Sequence, residues 1–140
     1  MIKCTRKIEF DAAHRILEHE SKCKLLHGHR YVLEVTVKAE KLDKLGRVVD
    51  FGVMKRVIGK WIDDNWDHNT ILNKEDKVMG DMIEKTTGQK IYYLDCNPTA
   101  ENMADYLFKK ICPKLLEKYN ILVDKIKLYE TPNCWVEIEN

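Results

Sequence analysis

Apolar and polar residues alternate in two stretches near the start of the chain. In the first, one parity carries Ile2, Cys4, Ile8 and Phe10, and the other carries Lys3, Thr5, Lys7 and Glu9. Residues 29–39 repeat the pattern, with an apolar parity of Tyr31, Leu33, Val35 and Val37. A period of two is typical of a strand with one buried face. Clean alternation in two strands favours an antiparallel sheet that is covered on one side.

Two later segments have the spacing of amphipathic helices. After a candidate N-cap at Asp50, apolar residues recur at helical intervals: Phe51, Met54, Val57, Ile58, Trp61 and Ile62. The second helix begins in Asn-Pro-Thr, where either Asn97 caps with Pro98 at the first helical position or Thr99 caps one step later. Its apolar stripe passes Pro113, so we expect a kink or a break near that residue.

The end of the chain has the pattern of a hairpin. Ile126, Leu128 and Glu130 share one parity, a Thr-Pro-Asn turn follows, and alternation resumes from Cys134. Between the helices, residues 74–97 are less regular, although 90–94 suits a short strand and the stretch before it a short helix. The order strand, strand, helix, helix, strand, strand predicts an α+β fold, with two main helices on one face of a four-stranded antiparallel sheet.

The amino-acid composition mainly excludes certain classes of protein. The 140 residues fit one domain, residues 1–140, and 44% hydrophobic content is enough for a packed core. The 24 Lys and Arg residues balance 23 Asp and Glu residues, which excludes a histone-like polycation and an acidic disordered tail. Without a run of ~18 apolar residues or a secretory h-region, we expect no membrane association and a cytoplasmic protein. Basic patches interleaved with aromatic residues are missing, so no direct nucleic-acid partner is expected.

Three histidines occupy positions on faces that should be buried. The apolar parity of the first strand ends at His14, and the second strand starts with His27 and His29. Alternate residues of a strand point the same way, so these side chains can meet if the two strands pair as a hairpin. Three neutral imidazoles at one point form the ligand set of a catalytic zinc site with an open fourth position. The competing interpretation is three separately hydrogen-bonded histidines, and imidazole also suits iron, cobalt, nickel and copper. His19, in a charged loop, is expected to be solvated.

The five cysteines do not form a disulfide framework, because their number is odd and no CxxC pair is present. Four of them fit a role as small hydrophobic residues. Cys23 differs because Lys22 and Lys24 flank it and His27 follows four residues later. Positive charge and a nearby metal favour a reactive thiolate at this position, against the alternative of an inert loop cysteine.

Two further polar positions are candidates for chemistry. Asp67 and His68 follow the first helix, where a polar helix exit is the plainer interpretation. Glu130 lies on the inward parity of a strand, and burying a carboxylate costs several kcal/mol unless it is paired. It therefore either pairs with a base such as Arg6 or receives hydrogen bonds from a ligand, for which a planar guanidine-like edge is well suited.

Taken together, these motifs resemble the 6-pyruvoyl-tetrahydropterin synthase / 6-carboxy-tetrahydropterin synthase family. The resemblance covers nearly the whole chain and rests on segments 10–14, 23–31, 48–51, 67–73, 97–102 and 129–131. Three residues separate Cys23 from His27, which resembles the 6-carboxy-tetrahydropterin synthases of queuosine biosynthesis (QueD type). The pyruvoyl-forming branch typically has two more residues in that gap. Residues 74–96 depart from shorter relatives, which have a brief loop there.

The resemblance also implies a fold and an assembly. The family has the T-fold (tunnelling fold), in which subunits pair their sheets edge to edge into a barrel, commonly a trimer stacked into a hexamer. Such an assembly agrees with a small sheet that has free edges. Active sites of the family lie between subunits, so residue roles can be shared across chains.

The implied reaction converts 7,8-dihydroneopterin 3′-triphosphate into 6-carboxy-tetrahydropterin, acetaldehyde and triphosphate. By resemblance, His14, His27 and His29 hold a zinc ion that binds the substrate's side-chain oxygens and acidifies the adjacent C–H as a Lewis acid.

The same resemblance assigns roles to five other residues. Cys23, as a thiolate, takes the proton, and Asp67 and His68 orient or relay it. Glu130 anchors the 2-amino-pyrimidinone edge of the pterin, with Thr99 near the ring. Nearby cations are candidates for the triphosphate: Lys22, Lys24, Arg15 and Arg30.

Three alternatives remain open at this point. The first is a 6-pyruvoyl-tetrahydropterin synthase, with the same fold and metal but another product. The second is a dihydroneopterin-aldolase-like or related pterin lyase. The third is a zinc-stabilised assembly module without catalysis, in which Cys23 would be dispensable and the metal would have four protein ligands.

Overall fold

A computed structural model describes residues 1–140, which form one six-stranded sheet and three helices. The strands are β1 (Lys3–His14), β2 (His27–Lys38), β3 (Asn69–Asn73), β4 (Ile91–Leu94), β5 (Leu122–Thr131) and β6 (Cys134–Glu139). The helices are α1 (51–65), α2 (Lys77–Thr87) and α3 (100–116), with short 3-10 turns at Lys22–Lys24, Lys74–Asp76 and Glu117–Tyr119. The α+β class is confirmed.

The pairing of β1 with β2 determines where the histidines lie. The two strands are antiparallel, and their register places His14 directly opposite His27 and Ala12 opposite His29. Phe10 and Tyr31 are opposite each other on the same face, fully buried and stacked with ring centroids 5.1 Å apart. The histidines therefore continue the buried face of the hairpin to its end.

The sheet is larger than the predicted four strands, and it is mixed. Its order is β4-β3-β1-β2-β5-β6, so β1, β2, β5 and β6 form the predicted antiparallel part. β3 runs parallel to β1 at residues 12–14, and β4 runs parallel to β3. The prediction missed β3 because Thr70, Ile71 and Leu72 are all buried, so that no alternation marks the strand.

The two predicted helices are present, each with one turn of π-helix. α1 consists of Phe51–Met54, a π segment Lys55–Gly59 and Lys60–Asn65, and Asp50 caps it by accepting the Gly52 N–H at 2.7 Å. In α3, Thr99 is the N-cap, with its hydroxyl accepting the Asn102 N–H at 3.1 Å.

Pro113 does not break α3. A π segment, Leu107–Ile111, precedes it, and the Cys112 N–H donates to the carbonyl of Leu107. A proline ring clashes with the carbonyl four residues earlier, and a wider turn before the ring gives that carbonyl room. The expected kink therefore takes the form of a π turn inside a continuous helix.

The segment between β3 and β4 forms a third helix, α2, which confirms the short helix expected before residues 90–94 and adds to the two main helices. Gly88, at φ 74°, follows α2 in the left-handed conformation that ends many helices, and β4 comes next. α2 contacts β3 and β4, whereas α3 packs on β5 and β6. No helix is long and apolar enough to cross a membrane.

Candidate functional site

His14, His27 and His29 meet at the end of the β1–β2 hairpin. One ligand nitrogen from each ring lies within 4.8 Å of those of the other two. The Nε2 atoms of His14 and His27 are 3.2 Å apart, and His14 is only 2% exposed. The convergence that the strand parity predicted is therefore confirmed.

Two main-chain carbonyls orient these rings. The Nδ1–H of His14 donates to the carbonyl oxygen of Pro98, and that of His27 donates to the carbonyl oxygen of Leu25, both at 2.7 Å. A carbonyl can only accept, so the proton of each neutral ring is on Nδ1 and the lone pair is on Nε2. Fixing the tautomer through the second ring nitrogen is the usual arrangement for a metal-binding histidine.

The three rings fit a metal ion in both chemistry and spacing. The Nε2 lone pairs of His14 and His27 face each other, and Nε2 of His29 is buried without any hydrogen-bond partner. Nitrogen ligands about 2.0–2.1 Å from a tetrahedral ion lie about 3.3 Å apart, close to the 3.2 Å between Nε2 of His14 and Nε2 of His27. Burial lowers the pKa of His14 to about 4, so that the ring is neutral at pH 7 and free to bind a cation.

Glu130 borders this centre from β5. Its Oε1 is 3.6 Å from Nε2 of His29, and its side chain is 29% exposed. Burial lowers the pKa of His29, while the charge of Glu130 opposes that shift. Glu130 makes no ion pair with Arg6, the structural partner considered for it, and instead lies against His29 of the histidine centre.

A cleft of about 250 Å³ opens beside the histidine centre. His14, Cys23, Thr99 and Glu130 all line it, so the structure brings together four of the predicted site residues. Thr99 reaches the cleft because it caps α3, one residue after the carbonyl that holds His14. Cys134 and Trp135, at the start of β6, also line the cleft, and neither was predicted to do so.

His19 is not solvated as expected, because it forms part of the cleft wall. Its side chain is 27% exposed, and its Nδ1 accepts the N–H of Ser21 at 2.9 Å. The loop that carries His19 is closed by a hydrogen bond from the Ile16 N–H to the Cys23 carbonyl at 2.8 Å. A loop has no periodicity, so the sequence contains no signal for this placement.

Asp67 and His68 lie on the opposite face of the sheet. Together with Asp11 they form a second cluster, and Asp11 precedes Ala12, which is on the histidine face. Asp67 accepts the backbone N–H of Asp11 at 2.9 Å through Oδ1, and its Oδ2 is 2.8 Å from Nδ1 of His68. Within one chain, the structure therefore separates this pair from Cys23.

The Asp67–His68 contact shifts both ionisable groups. The hydrogen bond and charge of Asp67 raise the pKa of His68. Burial acts to raise the pKa of Asp67, but the Asp11 N–H and the His68 ring outweigh it, and the net pKa is lowered. His68 has φ 58°, a left-handed conformation that is uncommon for a residue other than glycine.

Two of the cations considered for the triphosphate already have partners. Arg15 makes a two-pronged ion pair with the buried Asp76, with both hydrogen bonds at 2.5 Å. Arg30 donates to Asp11 at 3.0 Å on the far face of the sheet. Lys22 and Lys24 remain exposed next to Cys23.

Asn97, predicted from its spacing only as a candidate cap, is a positioning residue. Its amide makes two hydrogen bonds with the main chain of Leu17, accepting the N–H and donating to the carbonyl, each at 3.1 Å. Its own carbonyl accepts from the Asn102 side chain at 2.9 Å. These contacts tie the start of α3 to the chain that leaves β1, and so set the position of the Pro98 carbonyl.

α1 and α3 pack on the histidine face of the sheet, where Tyr92 contacts Trp61 and Tyr106, whereas α2 packs against Tyr93 on the opposite face of β4. The histidine centre lies at the end of the face that α1 and α3 cover. This architecture is that of the T-fold enzymes. The chain belongs to the 6-pyruvoyl tetrahydropterin synthase family, whose model matches residues 3–140, and it is accordingly a lyase.

Comparisons with individual proteins agree with this assignment. The chain is 61% identical over 138 residues to the 6-carboxy-5,6,7,8-tetrahydropterin synthase of Rickettsia conorii, covering 99% of this chain and 100% of that one. It is 29% identical to the enzyme of that name from Haemophilus influenzae, covering 99% of each. The solved 6-pyruvoyl tetrahydropterin synthase of Caenorhabditis elegans superposes with a TM-score of 0.70 at 26% identity, covering 99% of this chain and 95% of that one.

The geometry predicts the outcome of metal analysis. We expect the chain, loaded with zinc and dialysed, to keep about one ion per chain, and His27→Ala and His29→Ala to lose it because an open three-ligand site has no spare ligand. His19→Ala is the matched control, since it removes a histidine of the same cleft that is not in the cluster. Full metal retention in both ligand variants would show that the three rings are not the site.

Proposed function

We propose that this chain is a zinc-dependent lyase that converts 7,8-dihydroneopterin 3′-triphosphate to 6-carboxy-5,6,7,8-tetrahydropterin, acetaldehyde and triphosphate, in the queuosine pathway. The observation that carries the proposal is full-length identity of 61% to a relative named 6-carboxy-5,6,7,8-tetrahydropterin synthase. The three-histidine centre beside Cys23 and Glu130 supports it. Residues 1–140 act as one domain in this proposal.

His14, His27 and His29 would hold the zinc ion. With Nδ1 bonded to a carbonyl, His14 and His27 present Nε2 to the centre, and Nε2 of His29 is buried without a hydrogen-bond partner. An all-imidazole set with an open position is one that catalytic zinc uses. Bound there, zinc supplies Lewis acidity to oxygens of the substrate side chain.

Cys23 is the proposed base. It is one of five free cysteines, and with Cys134 it lines the cleft that the histidines border. Its hydrogen-bonded loop holds the thiol at the cleft wall, where it can take a proton from bound substrate. Its position at the cleft distinguishes Cys23 from Cys112, which is fully buried in the core and cannot reach a substrate.

Glu130 and Thr99 are the proposed pterin contacts. The carboxylate of Glu130 can accept two hydrogen bonds from the ring N–H and the exocyclic amine, an arrangement that a planar donor pair satisfies well. Thr99 lies in the same cleft at the start of α3. The negative charge of Glu130 favours a donor edge of the ring there, and the exposed Lys22 and Lys24 next to Cys23 are the candidates for the triphosphate.

Asp67 and His68 would act on the site of a neighbouring subunit. They cannot serve Cys23 of their own chain, because the sheet lies between them. The sheet has open edges at β6 and along the first part of β1, where β3 pairs only with residues 12–14. We propose edge-to-edge assembly into a trimer or hexamer, which would bring this pair to another chain's histidine centre.

A 6-pyruvoyl-tetrahydropterin synthase is the second candidate, because the matching family model and the superposed nematode structure have that name. The three-residue gap between Cys23 and His27 favours the carboxy-forming reaction. The two reactions release different products, and acetaldehyde is formed only in the carboxy-forming one.

The proposed reaction is tested by product analysis. We expect the zinc-loaded protein to turn dihydroneopterin triphosphate into 6-carboxy-tetrahydropterin and acetaldehyde, identified by mass spectrometry. Cys23→Ala should keep its zinc and lose about 10²–10⁴-fold in turnover, as the loss of a positioned base does. Cys96→Ala, a half-buried cysteine outside the cleft, is the control. Release of triphosphate with a pyruvoyl product would establish the second candidate.

If each active site is shared between two chains, two inactive variants should complement each other in a mixed oligomer. Cys23→Ala and His68→Ala should each be inactive, yet an equal mixture refolded together should regain about one quarter of wild-type turnover, because each site draws its two chains at random. Native mass spectrometry verifies that mixed oligomers have formed. If they form without any recovery, the two residues do not act in one shared site.

The role of Glu130 predicts a loss of pterin affinity. Hydrogen bonds to a charged group are worth about 1.5–3 kcal/mol each. Glu130→Gln replaces one acceptor by a donor, so pterin binding measured by calorimetry should weaken by at least ~tenfold. Zinc content should not change. Glu137→Gln, on the neighbouring strand and paired with Lys127 at 3.4 Å, is the control. Unchanged affinity with lowered stability would make Glu130 a structural residue.

A further inference from the structure

Two residues that follow α2 make hydrogen bonds to the segment that joins α1 to β3, one at the end of the helix and one in the loop. Lys90 donates through Nζ to the carbonyl of Asp64 at 2.8 Å, near the end of α1. Gln89 donates through Nε2 to the carbonyl of His68 at 3.0 Å. Gln89 therefore fastens the loop directly at His68, whereas Lys90 holds the end of α1 and makes no contact with Asp67 or His68.

His68 depends on such restraint because little else holds it. Its side chain is 77% exposed in the chain, so packing does not fix the ring. Its backbone has φ 58°, a conformation that persists where the surroundings enforce it. The His68 N–H donates to the Asp11 carbonyl at 2.7 Å, and the carbonyl of His68 accepts from Gln89. Both polar main-chain groups of the residue are thus held.

The amide of Gln89 is itself oriented. The hydroxyl of the buried Thr70 donates to its Oε1, which leaves Nε2 as the group that faces His68. The backbone N–H of Gln89 donates to the Thr87 hydroxyl at 3.0 Å, next to the left-handed turn at Gly88. Hydrogen bonds therefore restrain Gln89 at its backbone N–H and at Oε1, and together they hold the Nε2 donor toward the His68 carbonyl.

We propose that Gln89 is a positioning residue for His68, which it keeps in the left-handed conformation that turns the imidazole onto Asp67. This inference deepens the proposed function, since it matters for turnover only if His68 takes part in the reaction. The charged groups that face the ring are Asp67, Asp11 and Arg30. Of these, Asp67 makes the direct contact, at 2.8 Å, and it is this contact that Gln89 maintains.

The test compares two substitutions of neighbouring residues to the same unbranched side chain. Gln89→Met removes the hydrogen bond to His68, and Lys90→Met removes the one to α1. We expect Gln89→Met to lower kcat about tenfold with KM within about twofold, because a misplaced group acts on the transition state more than on binding. Lys90→Met should keep kcat. Gln89→Glu, which keeps an acceptor for Thr70 but offers His68 no donor, should repeat the loss if Gln89→Met is poorly folded.

A second measurement does not depend on activity. In the zinc-loaded protein, the pKa of the His68 ring, followed by NMR and assigned with His68→Ala, should fall toward the ordinary histidine value in Gln89→Met as the Asp67 contact loosens. Lys90→Met should leave that pKa in place. An unchanged kcat and an unchanged His68 pKa in folded Gln89→Met would overturn the inference. Full turnover of His68→Ala would instead refute the proposed role of His68, and the ring pKa would still decide whether Gln89 positions it.

Discussion

The register of the β1–β2 hairpin is the constraint on which the site depends. It places His14 opposite His27, with His29 two residues along the same face. A slip of one residue would turn the imidazoles of one strand to the other face, together with Phe10 or Tyr31 of the core. The packing of the core and the convergence of the three histidines are therefore enforced by the same pairing, and the burial of Phe10 against Tyr31 stabilises the histidine centre indirectly.

The hairpin also separates the other functional residues into two groups, one on each face of the sheet. Residues of the inward parity meet at the cleft with Cys23, Thr99 and Glu130, whereas Asp11 and Arg30 of the outward parity join Asp67 and His68. Each chain therefore presents two partial groups of functional residues on opposite faces of one sheet. Neither group resembles a complete acid–base site, which is why open sheet edges and assembly enter the proposed mechanism.

Sequence patterns predicted the parts of this structure that repeat with a period. Strand parity placed the three histidines and Glu130 on one face, and helical spacing with capping residues located α1 and α3. β3 was not predicted, because Thr70, Ile71 and Leu72 are all buried and the strand therefore shows no alternation. The contacts of His19 and Gln89 were not predicted, because they are made by loops and by single hydrogen bonds between residues far apart in the chain. Such contacts depend on tertiary placement, which no local spacing encodes.

The hydrogen bond from His14 to residue 98 has one more consequence. The acceptor is a main-chain carbonyl, so the contact does not depend on which side chain stands at that position. A substitution of Pro98 that leaves the main chain in place would therefore keep the His14 ring oriented. An insertion or deletion between β4 and α3 is different, because it shifts the carbonyl along the chain. The orientation of the His14 ring therefore depends on the length of this connection and on the path of its main chain, and not on the side chain of residue 98.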